Sequence, residues 1–190
     1  IGKAEPGLTI QTLDGAERVM GGEELLIQDQ QKPLAMAGIM GGHASAVSES
    51  TTNLFLESAH FDATSIRKAA HHHHLMTDAS FRFERGTDPE ATLTALKRAS
   101  LLIQEVAGGN VASAIMDAYP QPAQPVNLTL SYQYLDKILG DKAPQTRVQQ
   151  ILERLGFTIE EANDQALNLT VPTFRPDVTR PVDVVEEVMR

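Results

Sequence analysis

With 42% apolar and 22% charged residues over 190 positions, the chain carries material for one large folded domain or a medium and a small one, and its composition argues against disorder. No apolar run reaches the length that spans a bilayer, and no signal peptide is recognisable. The absence of cysteine excludes a disulfide framework and a thiolate zinc site, which points to a reducing cytoplasm. A net charge of −9 means that any RNA contact must use local Lys and Arg or depend on a partner chain.

In chain order, LTIQTLDGAERVM alternates around Asp14-Gly15 and predicts a hairpin. ELLIQDQ and PLAMAGIM predict further strands, the second ending at Gly41-Gly42, and NLFLESA predicts an apolar strand from Asn53 to Ala59 carrying the single acid Glu57. Asp62 is placed to cap a helix from about Ala63 to His73. Asp88-Pro89 opens a second helix, whose apolar face is Leu93, Leu96, Leu102, Ile103 and Val106 and whose end is Gly108-Gly109. NVASAIMDAY predicts a strand, and PQPAQP a stiff linker. Beyond it lie a strand (VNLTL), a short helix closed by Gly140, and an amphipathic helix closed by Gly156. Strands FTIEE and ALNLTVP follow, then a helix from about Pro181.

The fold class is α+β: a mixed-sheet domain with packed helices over 1–119, the linker 120–125, and a small winged-helix-like domain over 126–190. The chain opens on Ile1 and closes on VDVVEEVMR, a helical pattern with no stop signal, so it reads as a piece of something longer.

Four histidines, His71 to His74, stand at the end of the first predicted helix. Helical neighbours point about 100° apart, so only His71 and His74 share a face, and a zinc site needs a third protein ligand. None is visible nearby at ligand spacing. A partly exposed helix end is the plainer reading.

LAMAGIMGG, LFLESAHFDATSIRKAA and LMTDASFRFERGTDP resemble the editing domain of the bacterial phenylalanyl-tRNA synthetase beta subunit. SYQYLDKILG, ILERLGF and VPTFRPDVTRPVDVVEEV resemble the small domain that follows it, so the likeness covers nearly the whole chain. In that family a basic pair, a histidine and a glycine usually precede the threonine, where this chain has His71 to His74. The resemblance implies hydrolysis of tyrosine wrongly esterified to tRNA(Phe). An apolar charging site rejects an added hydroxyl by only roughly a hundredfold, so a second site must demand that hydroxyl. Matching motif positions assign the acceptor to Glu57, the bare backbone wall to Gly38 with Ala37, and the pocket floor to Thr77 and Ala79. A strand-edge acid facing solvent is the bland alternative for Glu57. No Ser-His or Cys-His pair is evident, which favours a positioned water as nucleophile. The family also uses a histidine upstream of these motifs, so the fragment alone is expected to be impaired in editing.

Arg82 and Arg85 invite an RNA reading, but guanidinium groups locking carboxylates such as Asp78 or Asp88 are the simpler expectation. Asp183, Glu186 and Glu187 share one helix turn with Asp177 just before it. The resemblance implies a Mg2+ site there, near the contact with the alpha subunit, although first-turn acids also complement a helix dipole with no metal. The complete enzyme is implied to be an ATP-dependent aminoacyl-tRNA synthetase, a heterotetramer with the alpha subunit that binds tRNA(Phe). The alternative is a non-catalytic tRNA-binding or assembly module.

Overall fold

The computed structural model describes all 190 residues, and their contacts divide them into two units: Ile1–Thr87 with Thr92–Val111, and Asp88–Ala91 with Ala112–Arg190. The fold class is α+β, as expected. No helix is long and apolar enough to cross a membrane.

In the first unit, β1 (Gly2–Lys3), β4 (Leu25–Gln28), β5 (Pro33–Met36) and β6 (Met40–Gly41) form an antiparallel sheet in the order β1-β4-β5-β6. The predicted hairpin is β2 (Thr9–Gln11) with β3 (Glu17–Val19); Gly15 turns it at φ 82°, a conformation that costs glycine little. PLAMAGIM is not one strand but two, folded back through Ala37, Gly38 and Ile39. Helix α1 (Ala63–His72) begins where predicted: the Asp62 carboxylate accepts from the Ser65 backbone N–H at 2.8 Å. Its buried face of Ile66, Ala69 and Ala70 packs with Ile10, Met20, Leu26, Met36 and Ile39. Each large side chain so enclosed contributes about 1.5–3 kcal/mol.

A short helix, α2 (Asp78–Phe83), follows, then α3 (Ala91–Ala107), which starts after Asp88-Pro89 and stops at Gly108-Gly109. Helix α3 buries none of its residues, so its apolar side is left open. Two predicted strands are absent: residues 53–59 and 110–119 form no ladder. Leu54, Phe55, Leu56, Val111, Ile115 and Met116 are exposed there. The apolar pattern was present, but no strand edge pairs with either segment, and a lone strand leaves its backbone groups unbonded.

The second unit follows the sequence closely. Strands β7 (Val126–Ser131), β8 (Thr158–Ala162) and β9 (Ala166–Val171) form an antiparallel sheet in the order β7-β9-β8. Leu167, Leu169 and Val171 of β9 point inward, the period-two pattern that made the strand legible. Leu135 of α4 (Tyr132–Leu139), Val148 and Leu152 of α5 (Gln145–Arg154) and Val184 of α6 (Pro181–Met189) complete this core.

Candidate functional site

The turn between β5 and β6 is the best-built feature among the predicted pocket residues. Gly38 lies at φ 65°, and a Cβ on it would sit 3.0 Å from Ile66 Cδ1, 3.0 Å from Phe61 Cδ2 and 3.2 Å from Phe83 Cδ2. Only glycine combines that dihedral with so close an approach. Phe61 and Phe83 pack with ring centroids 5.0 Å apart at 59°. Ala37 is fully buried, and its N–H donates to Leu25 O at 2.9 Å.

Thr77 ties this turn to α2. Its hydroxyl donates to Ile39 O at 2.8 Å and accepts from the Ser80 backbone N–H at 3.0 Å, while the Thr77 N–H donates to Ser80 Oγ at 2.9 Å. The result is a reciprocal cap in which one hydroxyl also fixes a turn 38 residues upstream. Ser80, buried, was passed over in the sequence, although a threonine followed three residues later by a short polar residue signals such a cap. Ala79 lies in the same turn of α2, half-buried. The structure therefore brings Ala37, Gly38 and Thr77 together, with Ala79 beside them.

Glu57 sits on no strand. It was expected on a strand, shielded by apolar neighbours; it lies in the irregular exposed segment, with Phe55 86% accessible, and makes no hydrogen bond or ion pair. Surrounding protein raises its pKa above the ordinary carboxylate value. The side chain nevertheless keeps access to water, so its desolvation is partial.

The arginines of α2 and its end have partners within the chain. Arg85 pairs with Glu84 at 2.6 Å and stacks 3.5 Å over the Phe81 ring, and Arg82 donates to the backbone oxygen of Asp78 at 3.1 Å. Neither locks the Asp78 or Asp88 carboxylate that the sequence suggested.

The histidine run is a partly exposed helix end, as expected, but His71 and His74 do not share a helical face. α1 ends at His72, His73 caps it, and His74 takes φ 52°, so the chain leaves helical geometry and the 100° rule no longer applies. Adjacent rings, His72 and His73, come together edge to face at 4.7 Å. Glu24, from the loop before β4, reaches them both: its Oε1 lies 3.0 Å from His73 Nε2 and 3.9 Å from His72 Nε2. A third potential ligand thus exists, 49 residues from His73 in sequence. Burial alone would raise the Glu24 pKa, but backbone N–H groups of Glu24 itself, Gly21 and Gly22 together with the His73 ring hold it at about 2. Arg18 braces the same corner, donating to His73 O at 3.1 Å and pairing with Asp14 at 2.6 Å.

The acids of the last helix are taken up by arginines. Arg175 bridges Asp177 at 2.7 Å and Glu187 at 2.6 Å. Asp183 accepts from the backbone N–H groups of Thr179 and Arg180 and from the Arg180 side chain. Glu186 is exposed and 3.9 Å from Arg190. Guanidinium groups hold Asp177 and Glu187 well below the usual carboxylate range, and Arg180 with the helix-start N–H groups holds Asp183 at about 2. In this arrangement Arg175 stands between Asp177 and Glu187 and Asp183 caps α6, so a Mg2+ ion at these carboxylates would take the place that the Arg175 guanidinium now holds.

The B3/4 domain family model matches residues 1–108, and the tRNA synthetase B5 domain model matches residues 128–190. The phenylalanine–tRNA ligase beta subunit of Porphyromonas gingivalis is 44% identical over 185 residues, covering 97% of this chain and 22% of that protein. The beta subunit of Protochlamydia amoebophila is 42% identical over 187 residues, 98% of this chain and 23% of its own length. That of Moorella thermoacetica is 42% identical over 188 residues, 99% and 23% respectively. The chain spans a little under a quarter of the length of these relatives.

Proposed function

The chain belongs to the phenylalanine–tRNA ligase beta subunit family, as a B3/4 domain followed by a B5 domain, and on that premise we propose that its first unit contributes a hydrolytic pocket that removes tyrosine from mischarged tRNA(Phe). In this reading the aromatic ring lies against the Gly38 turn, with Ala37 behind it and Thr77 and Ala79 below. Glu57 accepts the phenol hydroxyl. Occupation of the pocket would take from Glu57 the water that now reaches it. Phenylalanine would then leave a carboxylate desolvated and unpaired, at a cost of about 1–3 kcal/mol or more. A water held near the ester, rather than a side-chain nucleophile, would carry out the hydrolysis.

The observation that supports this reading most is the Thr77 hydroxyl bonded to Ile39 O, which fixes the side-chain-free Gly38 wall. Charging of tRNA with ATP and magnesium, and assembly with an alpha subunit in the cytoplasm, are proposed for the whole enzyme. The test is deacylation by the assembled enzyme with its full-length beta subunit. The wild type should release tyrosine from Tyr-tRNA(Phe) and spare Phe-tRNA(Phe), and Glu57→Ala should lose that selectivity while still charging phenylalanine. Hydrolysis of both esters at one rate, or an unchanged Glu57→Ala enzyme, refutes the reading.

A second reading, a non-catalytic assembly module, is favoured by one observation: the exposed apolar side chains of Leu54, Phe55 and Leu56 and the open face of α3. Binding of tRNA without any release of tyrosine would select it.

A further inference from the structure

Outside the proposed pocket, one trio of side chains has its ligand atoms within 4.8 Å of one another: Glu24, His72 and His73. We propose that these three residues bind one divalent transition-metal ion of the zinc class, with the fourth position open to water.

The donor set is two imidazoles and one carboxylate, which suits borderline ions such as Zn2+ rather than Mg2+ or Ca2+. Zn–N and Zn–O bonds of about 2.0–2.2 Å in a tetrahedron separate ligand atoms by about 3.3 Å. The Glu24 oxygen lies 3.0 Å from one nitrogen and 3.9 Å from the other, on either side of that value. Binding the ion would therefore replace the direct His73–Glu24 contact with small side-chain adjustments. His72, 60% exposed, is free to make the larger one.

Two further features make the corner a built site. The Glu24 carboxylate is buried and fixed from behind: Oε2 accepts from the N–H groups of Gly21 at 3.0 Å and Gly22 at 2.9 Å, and Oε1 also accepts from Gly21 at 3.1 Å. Such outer bonds orient a ligand before the metal arrives. The backbone at Gly21 also lies beside the trio without crowding it, since even a Cβ there would make only ordinary contacts, 3.4 Å to Glu24 Oε1 and 3.6 Å to His72 Nε2. A bound ion would join the end of α1 to the loop before β4.

Calorimetric titration of Zn2+ into chelator-treated 190-residue protein tests this. A run of histidines can chelate metal by itself, so two variants separate the alternatives. His72→Ala removes an exposed ligand and leaves the His73–Glu24 pair that holds the corner folded. His71→Ala with His74→Gly removes the two outer histidines. The wild type and the double variant should each bind one equivalent, and His72→Ala should bind at least about tenfold more weakly, the loss that even an outer-shell partner causes. Circular dichroism should show all three folded alike. Absence of stoichiometric binding, equal affinity in His72→Ala, or loss of binding in the double variant overturns the assignment.

Discussion

Gly38→Ala separates backbone strain from crowding at the proposed pocket wall. At φ 65° an L-residue pays about 1–2 kcal/mol. The new methyl would also press on Ile66, Phe61 and Phe83 at 3.0–3.2 Å, an overpacking cost of about 1–3 kcal/mol. Reduced freedom of the unfolded chain returns about 0.4–1 kcal/mol. The net loss is about 2–4 kcal/mol. Gly15→Ala is the control, because Gly15 has φ 82° but nothing within 4 Å of a Cβ, so only the backbone cost of about 0.5–1 kcal/mol remains. Hydrogen exchange of the α1 and β4 amides reads the first unit directly. It should quicken roughly 30- to 1,000-fold in Gly38→Ala and less than about tenfold in Gly15→Ala. Equal effects would show that the aromatic side chains yield without cost, and the tight wall would lose its basis.

Thr77→Val should cost the first unit about 2 kcal/mol, one cap and one turn bond, while Thr77→Ser keeps both; equal exchange rates in the two variants would contradict the dual role. His74→Gly should stabilise by about 0.5–1 kcal/mol by relieving φ 52° in a non-glycine residue, read as a raised melting temperature. Arg175→Met leaves Glu187, 8% exposed, without its partner and should destabilise the second unit by about 2–3 kcal/mol. Urea unfolding followed by tyrosine fluorescence measures this, since Tyr119, Tyr132 and Tyr134 all belong to that unit. Because Arg175 lowers the pKa values of Asp177 and Glu187 from 3.8 and 4.5, the folded state binds their protons more weakly than the unfolded chain does. Their stabilisation is complete above about pH 4.5 and falls as the pH drops through the lowered values. Arg175→Met should flatten that acid limb, and an unchanged slope would assign it to other groups.

Local signals in the sequence were reliable where they act locally. Asp62 caps α1, Gly140 and Gly156 turn with positive φ after α4 and α5, and the alternation of β9 marks its buried face. What failed depends on partners. The segments 53–59 and 110–119 have strand composition, yet no edge pairs with them, and with the first of these went the expected shielding of Glu57. Ala37, Gly38 and Thr77 could be named from motifs, but the bond joining Thr77 to Ile39 spans 38 residues and is invisible to any periodicity. The same holds for Glu24 and the histidines: spacing within a helix could not anticipate a carboxylate from a distant loop, or a helix ending in the middle of the run.

The central claim is that the Gly38 turn and Glu57 together recognise a phenol. Equilibrium binding of free tyrosine and phenylalanine to the full-length beta subunit in its assembled enzyme, with the charging site blocked, tests it most directly. Tyrosine should bind and phenylalanine should not, and either Glu57→Ala or Gly38→Ala should abolish the difference. Equal binding of the two amino acids by the wild type would contradict it.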